Sequence, residues 1–136
     1  MTRRRANIIC TSSPGNSPTS TYQVINARQA LADPNSVFYY YQKLIRLRRE
    51  NPVIVYGRYD LLLDDHEQIY AFTRTLPDDR LLVILNFSRD TPVFALPAQV
   101  RFSDKELLIS NYEVDLAKDI RELSLRPYEA RVYGLR

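Results

Sequence analysis

LADPNSVFYYYQKLIRLRRENPVIVYGRY, residues 31–59, contains the transition on which the fold turns. Ser36 is a good helix cap, because its hydroxyl can accept from an amide of the first turn that would otherwise lack a partner. Val37, Tyr40, Tyr41, Leu44 and Leu47 then share one apolar stripe, while Lys43, Arg46, Arg49 and Glu50 lie mainly outside it. Asn51-Pro52 ends this helix, since a residue before proline is driven out of the α region. Beyond Pro52 the chain reads as the opening strand of a β domain.

Working outward, the chain divides into three zones. Residues 1–21 hold eight Ser or Thr, two Pro and almost no apolar periodicity. Such a segment cannot bury enough surface to offset its ordering entropy, and is expected to be a disordered tail. Residues 22–52 are helical: Asn26 can cap a short helix through Leu31, and Asp33-Pro34-Asn35 breaks it before the main helix. Residues 53–136 have β character, with strands expected at 59–63, 68–75, 81–87, 93–96, 107–110, 122–125 and 130–135. The intervening Asp64-Asp65-His66, Pro77-Asp78-Asp79 and Ser88-Arg89-Asp90 are turns. Short strands and turns at this spacing predict an antiparallel Greek-key β-sandwich preceded by one amphipathic helix.

Both the helix and the β part resemble one family. The matching pieces are the helix and its Pro52 exit, Val55-Tyr56-Gly57, the strand Val83 to Ser88, and Leu108-Ile109-Ser110-Asn111-Tyr112. The closing run Leu125-Arg126-Pro127-Tyr128-Glu129-Ala130-Arg131-Val132-Tyr133 is similar to that family's last C-domain strand. In this order and spacing they resemble the end of glycoside hydrolase family 13 α-glucosidases. The nearest branch holds the oligo-1,6-glucosidases, dextran glucosidases and trehalose-6-phosphate hydrolases. The resemblance runs from about Tyr22 to the C-terminus. It implies the last helix of a (β/α)8 barrel followed by a C-terminal sandwich. Upstream of Tyr22 it stops abruptly, which reads as a frameshifted or misassigned start rather than an in-frame truncation.

The resemblance implies a parent that hydrolyses α-glucosidic bonds through an Asp nucleophile and a Glu acid/base, about 5 to 5.5 Å apart. Those motifs lie on earlier barrel strands, and no segment here matches them. No catalytic residue, cofactor ligand or metal ligand is therefore expected in this chain, and its role is that of a scaffold. The adjacent acids Asp64-Asp65 and Asp78-Asp79 suit turn geometry. Their loops are too short for the six or more oxygens that calcium requires. His66 is the lone histidine, so a two-histidine metal site is excluded, and a solvated turn position is expected. Gly15, Gly57 and Gly134 are too scattered to cradle phosphate.

Charge and cysteine content narrow the partners. Arg3, Arg4 and Arg5 supply the whole excess of +3; from residue 22 onward, 16 basic residues balance 16 acidic ones. A neutral folded part argues against a nucleic-acid surface. Cys10 is alone, which excludes an internal disulfide and fits a reducing, cytoplasmic setting. The longest aliphatic run, Leu81–Leu85, is too short to span a membrane. The expected partner is the parent's catalytic barrel, with self-association through the 36–50 helix in its absence. Tyr56, Tyr59, Tyr70, Tyr112, Tyr128 and Tyr133 leave open a second reading, an independent carbohydrate-binding module. Tyrosines packed in the core, or facing the helix, support a scaffold; exposed tyrosines clustered on one sheet face support the module.

Overall fold

A computed structural model describes residues 26–136. The expectations about the tail, Cys10, Gly15 and the break at Tyr22 fall outside that range. The chain divides into two units, residues 1–42 and 43–136.

In the first unit, Asn26 caps α1 (Ala27–Ala32), its Oδ1 accepting from the Gln29 amide at 3.0 Å. Asp33 then forms an Asx turn by accepting from the Asn35 amide, which ends α1 as its short polar side chain dictates. α2 (Val37–Glu50) follows and crosses into the second unit. Ser36 does not cap it as expected. Its hydroxyl instead donates to the Ala30 carbonyl at 2.6 Å, which turns the side chain back toward α1. No residue of α2 is buried. Tyr40, Leu44 and Leu47 are half-buried, and Val37, Tyr41 and Ile45 form an exposed apolar flank beside them.

Pro52 ends α2, but no strand follows directly. Val53–Tyr56 is a helical turn, α3, entered through Pro52 at φ −55° and ψ −28°. The fixed ring torsion of proline suits a helix start, and that preference prevails over the strand-like Val-Ile-Val-Tyr sequence. Burial of Val53 to 3% exposure secures the turn.

The second unit is a sandwich. β1 (Arg58–Leu61), β2 (Ile69–Thr75), β3 (Arg80–Asn86), β5 (Lys105–Ser110) and β7 (Ala130–Leu135) form a five-stranded sheet ordered β1-β2-β3-β7-β5. β4 (Val93–Ala95) pairs with β6 (Glu122–Ser124) in a two-stranded sheet. All pairings are antiparallel. The chain leaves β3 for the second sheet, returns to the far edge as β5, leaves again, and inserts β7 between β3 and β5. The strands agree with the expected set to within two residues at each end, and the two acid pairs sit in the β1–β2 and β2–β3 turns.

Period-two alternation decides which side chains meet inside. Ile69 and Ala71 of β2, Leu82 and Ile84 of β3, and Tyr133 and Leu135 of β7 face Phe94 and Leu123 of the small sheet. Val100, Ile120 and Leu125 close the core from loops. Full burial of each large side chain contributes about 1.5–3 kcal/mol.

One end of the sandwich is fastened by buried polar groups. Glu129 is fully buried and accepts from Arg131 Nε at 2.9 Å and Nη2 at 2.8 Å, while its other oxygen accepts from the Arg126 amide at 2.7 Å. Asn86, also buried, donates to the carbonyls of Asp90 and Arg126 and accepts from Ser88. Asn111 bridges β5 to the approach of β7, donating to the Tyr128 carbonyl and accepting from the Ala130 amide. These bonds hold Tyr128 at φ 56°, a left-handed conformation that costs an L-residue about 1–2 kcal/mol.

Candidate functional site

The outer face of the five-stranded sheet is the part of the second unit that folding alone does not explain. Antiparallel sheets commonly present polar side chains to water on the face away from the core. Here the register puts Tyr59 and Leu61 of β1, Tyr70 and Phe72 of β2, Val83 and Leu85 of β3, and Ala130 and Val132 of β7 on that face. The run Leu81–Leu85 is the sequence origin of this property, since it supplies aliphatic side chains to both sides of the central strand.

α3 covers one end of the face. It packs against β2 and β3, and Val53, Leu81, Leu108 and Gly134 line a single small cavity there. The close approach needs Gly57: a Cβ at that position would lie 2.4 Å from the Val53 carbonyl and 3.1 Å from Arg74 Cβ. Arg74 reinforces the junction by donating to the Gly57 carbonyl at 3.2 Å.

The remaining area carries a chain of four rings. Tyr59 and Phe72 have centroids 5.1 Å apart, Phe72 and Tyr70 5.5 Å, and Tyr70 and Phe87 6.4 Å. Tyr59, Tyr70 and Phe87 are exposed, as is Leu61 beside them. The two phenolic oxygens bond to each other at 2.6 Å. That bond raises the Tyr59 phenol above its ordinary value near 10, with lesser contributions from burial and from the Tyr70 charge. One hydroxyl donates and the other accepts, so covering the rings leaves a single O–H hydrogen to be paired and desolvation costs less than for two free phenols.

Of the six tyrosines in or beside the β domain, Tyr133 packs in the core at 3% exposure, while Tyr56, Tyr59, Tyr70, Tyr112 and Tyr128 are exposed. Phe72 and Phe87 complete the ring chain, and a reading centred on tyrosine does not single them out. Period-two alternation of Tyr70 with Phe72 and of Leu85 with Phe87 is the signal that could find them. Elsewhere, Tyr112 donates to the Pro127 carbonyl, and its ring lies 5.2 Å from the Arg126 guanidinium carbon.

Asp64, Asp65, Asp78 and Asp79 are exposed in their turns. His66 is exposed too, but it is more than a solvated side chain. Its Nδ1 accepts from the amides of Gln68 and Ile69 at 3.2 and 3.0 Å, capping the entry to β2. Among the described residues, Glu129 is the only buried carboxylate, and both of its oxygens are taken by Arg131 and the Arg126 amide. Among the described residues, no three His, Cys, Asp or Glu side chains are grouped to hold a metal ion. No helix among them is long and apolar enough to cross a membrane.

Residues 69–132 match the family model of the α-amylase SusG C-terminal domain, and residues 17–57 match that of the α-amylase catalytic domain. The oligo-1,6-glucosidase of Parageobacillus thermoglucosidasius is 57% identical over 115 residues, covering 85% of this chain and 20% of that protein. The crystal structure of Bacillus licheniformis trehalose-6-phosphate hydrolase superposes with a TM-score of 0.79 at 41% identity, covering 85% of this chain and 21% of that one. Isomaltulose synthase from Klebsiella sp. LX3 gives a TM-score of 0.80 at 36% identity, with coverages of 93% and 22%. The chain thus spans about a fifth of the length of the curated relatives it matches.

Proposed function

Taking this chain as a C-terminal portion of the α-amylase family, glycoside hydrolase family 13, we propose that it is a non-catalytic scaffold domain. Its task is to cover apolar surface of a catalytic barrel that hydrolyses α-glucosidic bonds in small oligosaccharides. The observation that carries this reading is the apolar outer face of the five-stranded sheet. An uncovered antiparallel sheet face of this composition indicates a protein partner. The segment entering that sheet, residues 17–57, matches the catalytic-domain model, so the natural partner is the barrel on which that segment ends.

The clustering of exposed Tyr59 and Tyr70 on one face favours the second reading, a carbohydrate-binding module. The ring angles weigh against it. Successive planes are inclined at 40°, 55° and 60°. Rings tilted this way interdigitate with side chains, whereas a pyranose stacks best on a flat platform. Assay of the purified chain on 4-nitrophenyl α-glucoside tests the non-catalytic role. No release above a mock purification is expected, and activity that co-fractionates with the chain contradicts it.

A further inference from the structure

The two glycines among the described residues answer to different demands. Gly57 is required by the close approach of α3, whereas nothing in the domain's own packing requires Gly134. It lies within the ladder of β7, opposite Leu81 of β3 on one side and Glu106 of β5 on the other. Its φ is outside the left-handed range. The nearest neighbours of a Cβ built on it would be Leu108 carbons at 3.8–3.9 Å, an ordinary van der Waals distance. The irregularity of β5 between Leu107 and Ile109 therefore does not need a glycine beside it. Glycine inside a strand forgoes packing and adds to the entropy lost on folding. It is often found where another molecule approaches the sheet closely.

The space at Gly134 is a cavity of about 60 Å³. At about 10–15 Å³ for each water, it has room for a few of them or for the end of one side chain. Val53, Leu81 and Leu108 supply its apolar walls. α3 bounds this space without filling it: the helical turn packs on β2 and β3, while Gly134 and Leu108 belong to the next two strands. Around the mouth the charges balance, with Asp79, Asp104 and Glu106 set against Arg80, Lys105 and Arg136. Glu106 and Arg136 approach each other to 3.9 Å. With no net charge to select an ion, the apolar walls set the chemistry of what enters.

We propose that this cavity is a socket for one aliphatic side chain on the outside of the catalytic barrel. The inference rests on the scaffold reading and sharpens it, from a broad apolar face to a contact with a defined fit. Two observations choose the barrel as the occupant. α3, which walls the socket, falls within residues 17–57, the segment that matches the catalytic-domain model. The socket thus opens beside the element through which the chain leaves the barrel. It is also continuous with the apolar outer face, since Leu81 precedes Val83 on the same side of β3.

Two substitutions test the socket. Gly134→Ala adds only the compatible Cβ, and Gly134→Leu places an aliphatic group of the chain's own in the cavity. In urea denaturation of the full chain, Gly134→Ala should raise the midpoint by restraining the unfolded state, and Gly134→Leu should not lower it. Each variant then competes with differently tagged unaltered chain for an oligo-1,6-glucosidase catalytic barrel lacking its own C-terminal region, all expressed in the same cells. Gly134→Leu should capture at least about tenfold less barrel, because its side chain already occupies the socket. A Gly134→Leu chain that captures as much barrel as the unaltered chain overturns the socket and leaves the scaffold reading intact. Failure of the unaltered chain to capture any barrel overturns both. A lowered midpoint in either variant overturns the socket as well, because the glycine then serves the domain's own packing. So does loss of self-association by isolated Gly134→Leu, which identifies a second copy of the chain as the occupant.

Discussion

The phenolic oxygens of Tyr59 and Tyr70 lie 2.6 Å apart on the outer face of the sheet, joining an edge strand to its neighbour by a bond between two exposed side chains. The bond favours the protonated phenol of Tyr59, whose folded-state value is raised. Its contribution to stability is therefore complete below the ordinary tyrosine range and is lost as pH rises through the raised value. Besides Tyr40, whose phenol burial also raises, ultraviolet-monitored titration should detect a late-ionising phenol at Tyr59. In Tyr70→Phe that phenol should return toward the ordinary value; a titration unchanged by the substitution contradicts the pairing.

Gly57 is the tightest point of the junction between α3 and the sandwich. A Cβ there meets the Val53 carbonyl, a backbone atom that cannot rotate away. Gly57→Ala should therefore destabilise the domain by about 1–3 kcal/mol through overpacking. Urea denaturation reads the loss as a lower midpoint with an unchanged slope.

Glu129 and Arg131 are both buried, at 0% and 8% side-chain exposure. Glu129→Leu leaves an uncompensated guanidinium and should cost about 3–5 kcal/mol, and Arg131→Met should behave alike. The double variant should lose clearly less than the sum, because the second change removes the orphaned charge. Additive losses in denaturant titration would show that packing, not charge pairing, dominates there.

These cases mark how far the sequence carries. The strand set and the closing segment 125–133 can be read directly, because alternation, turn residues and family likeness agree there. Val53–Tyr56 misleads because its local composition suits a strand, while Pro52 and the contacts of Val53 make it helical. Ser36 misleads for the same kind of reason: a carbonyl six residues back captures its hydroxyl. The Glu129–Arg131 pair lies inside a recognisable motif, but only tertiary packing reveals that both charges are buried. The ring chain is half visible: its tyrosines stand out by number, whereas its phenylalanines show only through period-two alternation, and strand register is what places them beside the tyrosines.

On α2, Val37, Tyr41 and Ile45 recur every four residues and are exposed by 75%, 63% and 56%. Exposed apolar flanks of this kind promote association. Without a barrel, the chain should self-associate through this helix. Tyr41→Lys with Leu44→Glu should reduce association while leaving the sandwich folded. Sedimentation velocity over a dilution series checks this; a stable monomer at every concentration contradicts it.

The most direct test of the scaffold role is co-expression of this chain with an oligo-1,6-glucosidase catalytic barrel lacking its own C-terminal region. A 1:1 complex should co-purify, and Tyr70→Lys combined with Phe72→Lys on the outer face should abolish it while leaving the chain folded. Failure of the unaltered chain to form the complex, or persistence of the complex in the double variant, would contradict the assignment of that face as the barrel contact.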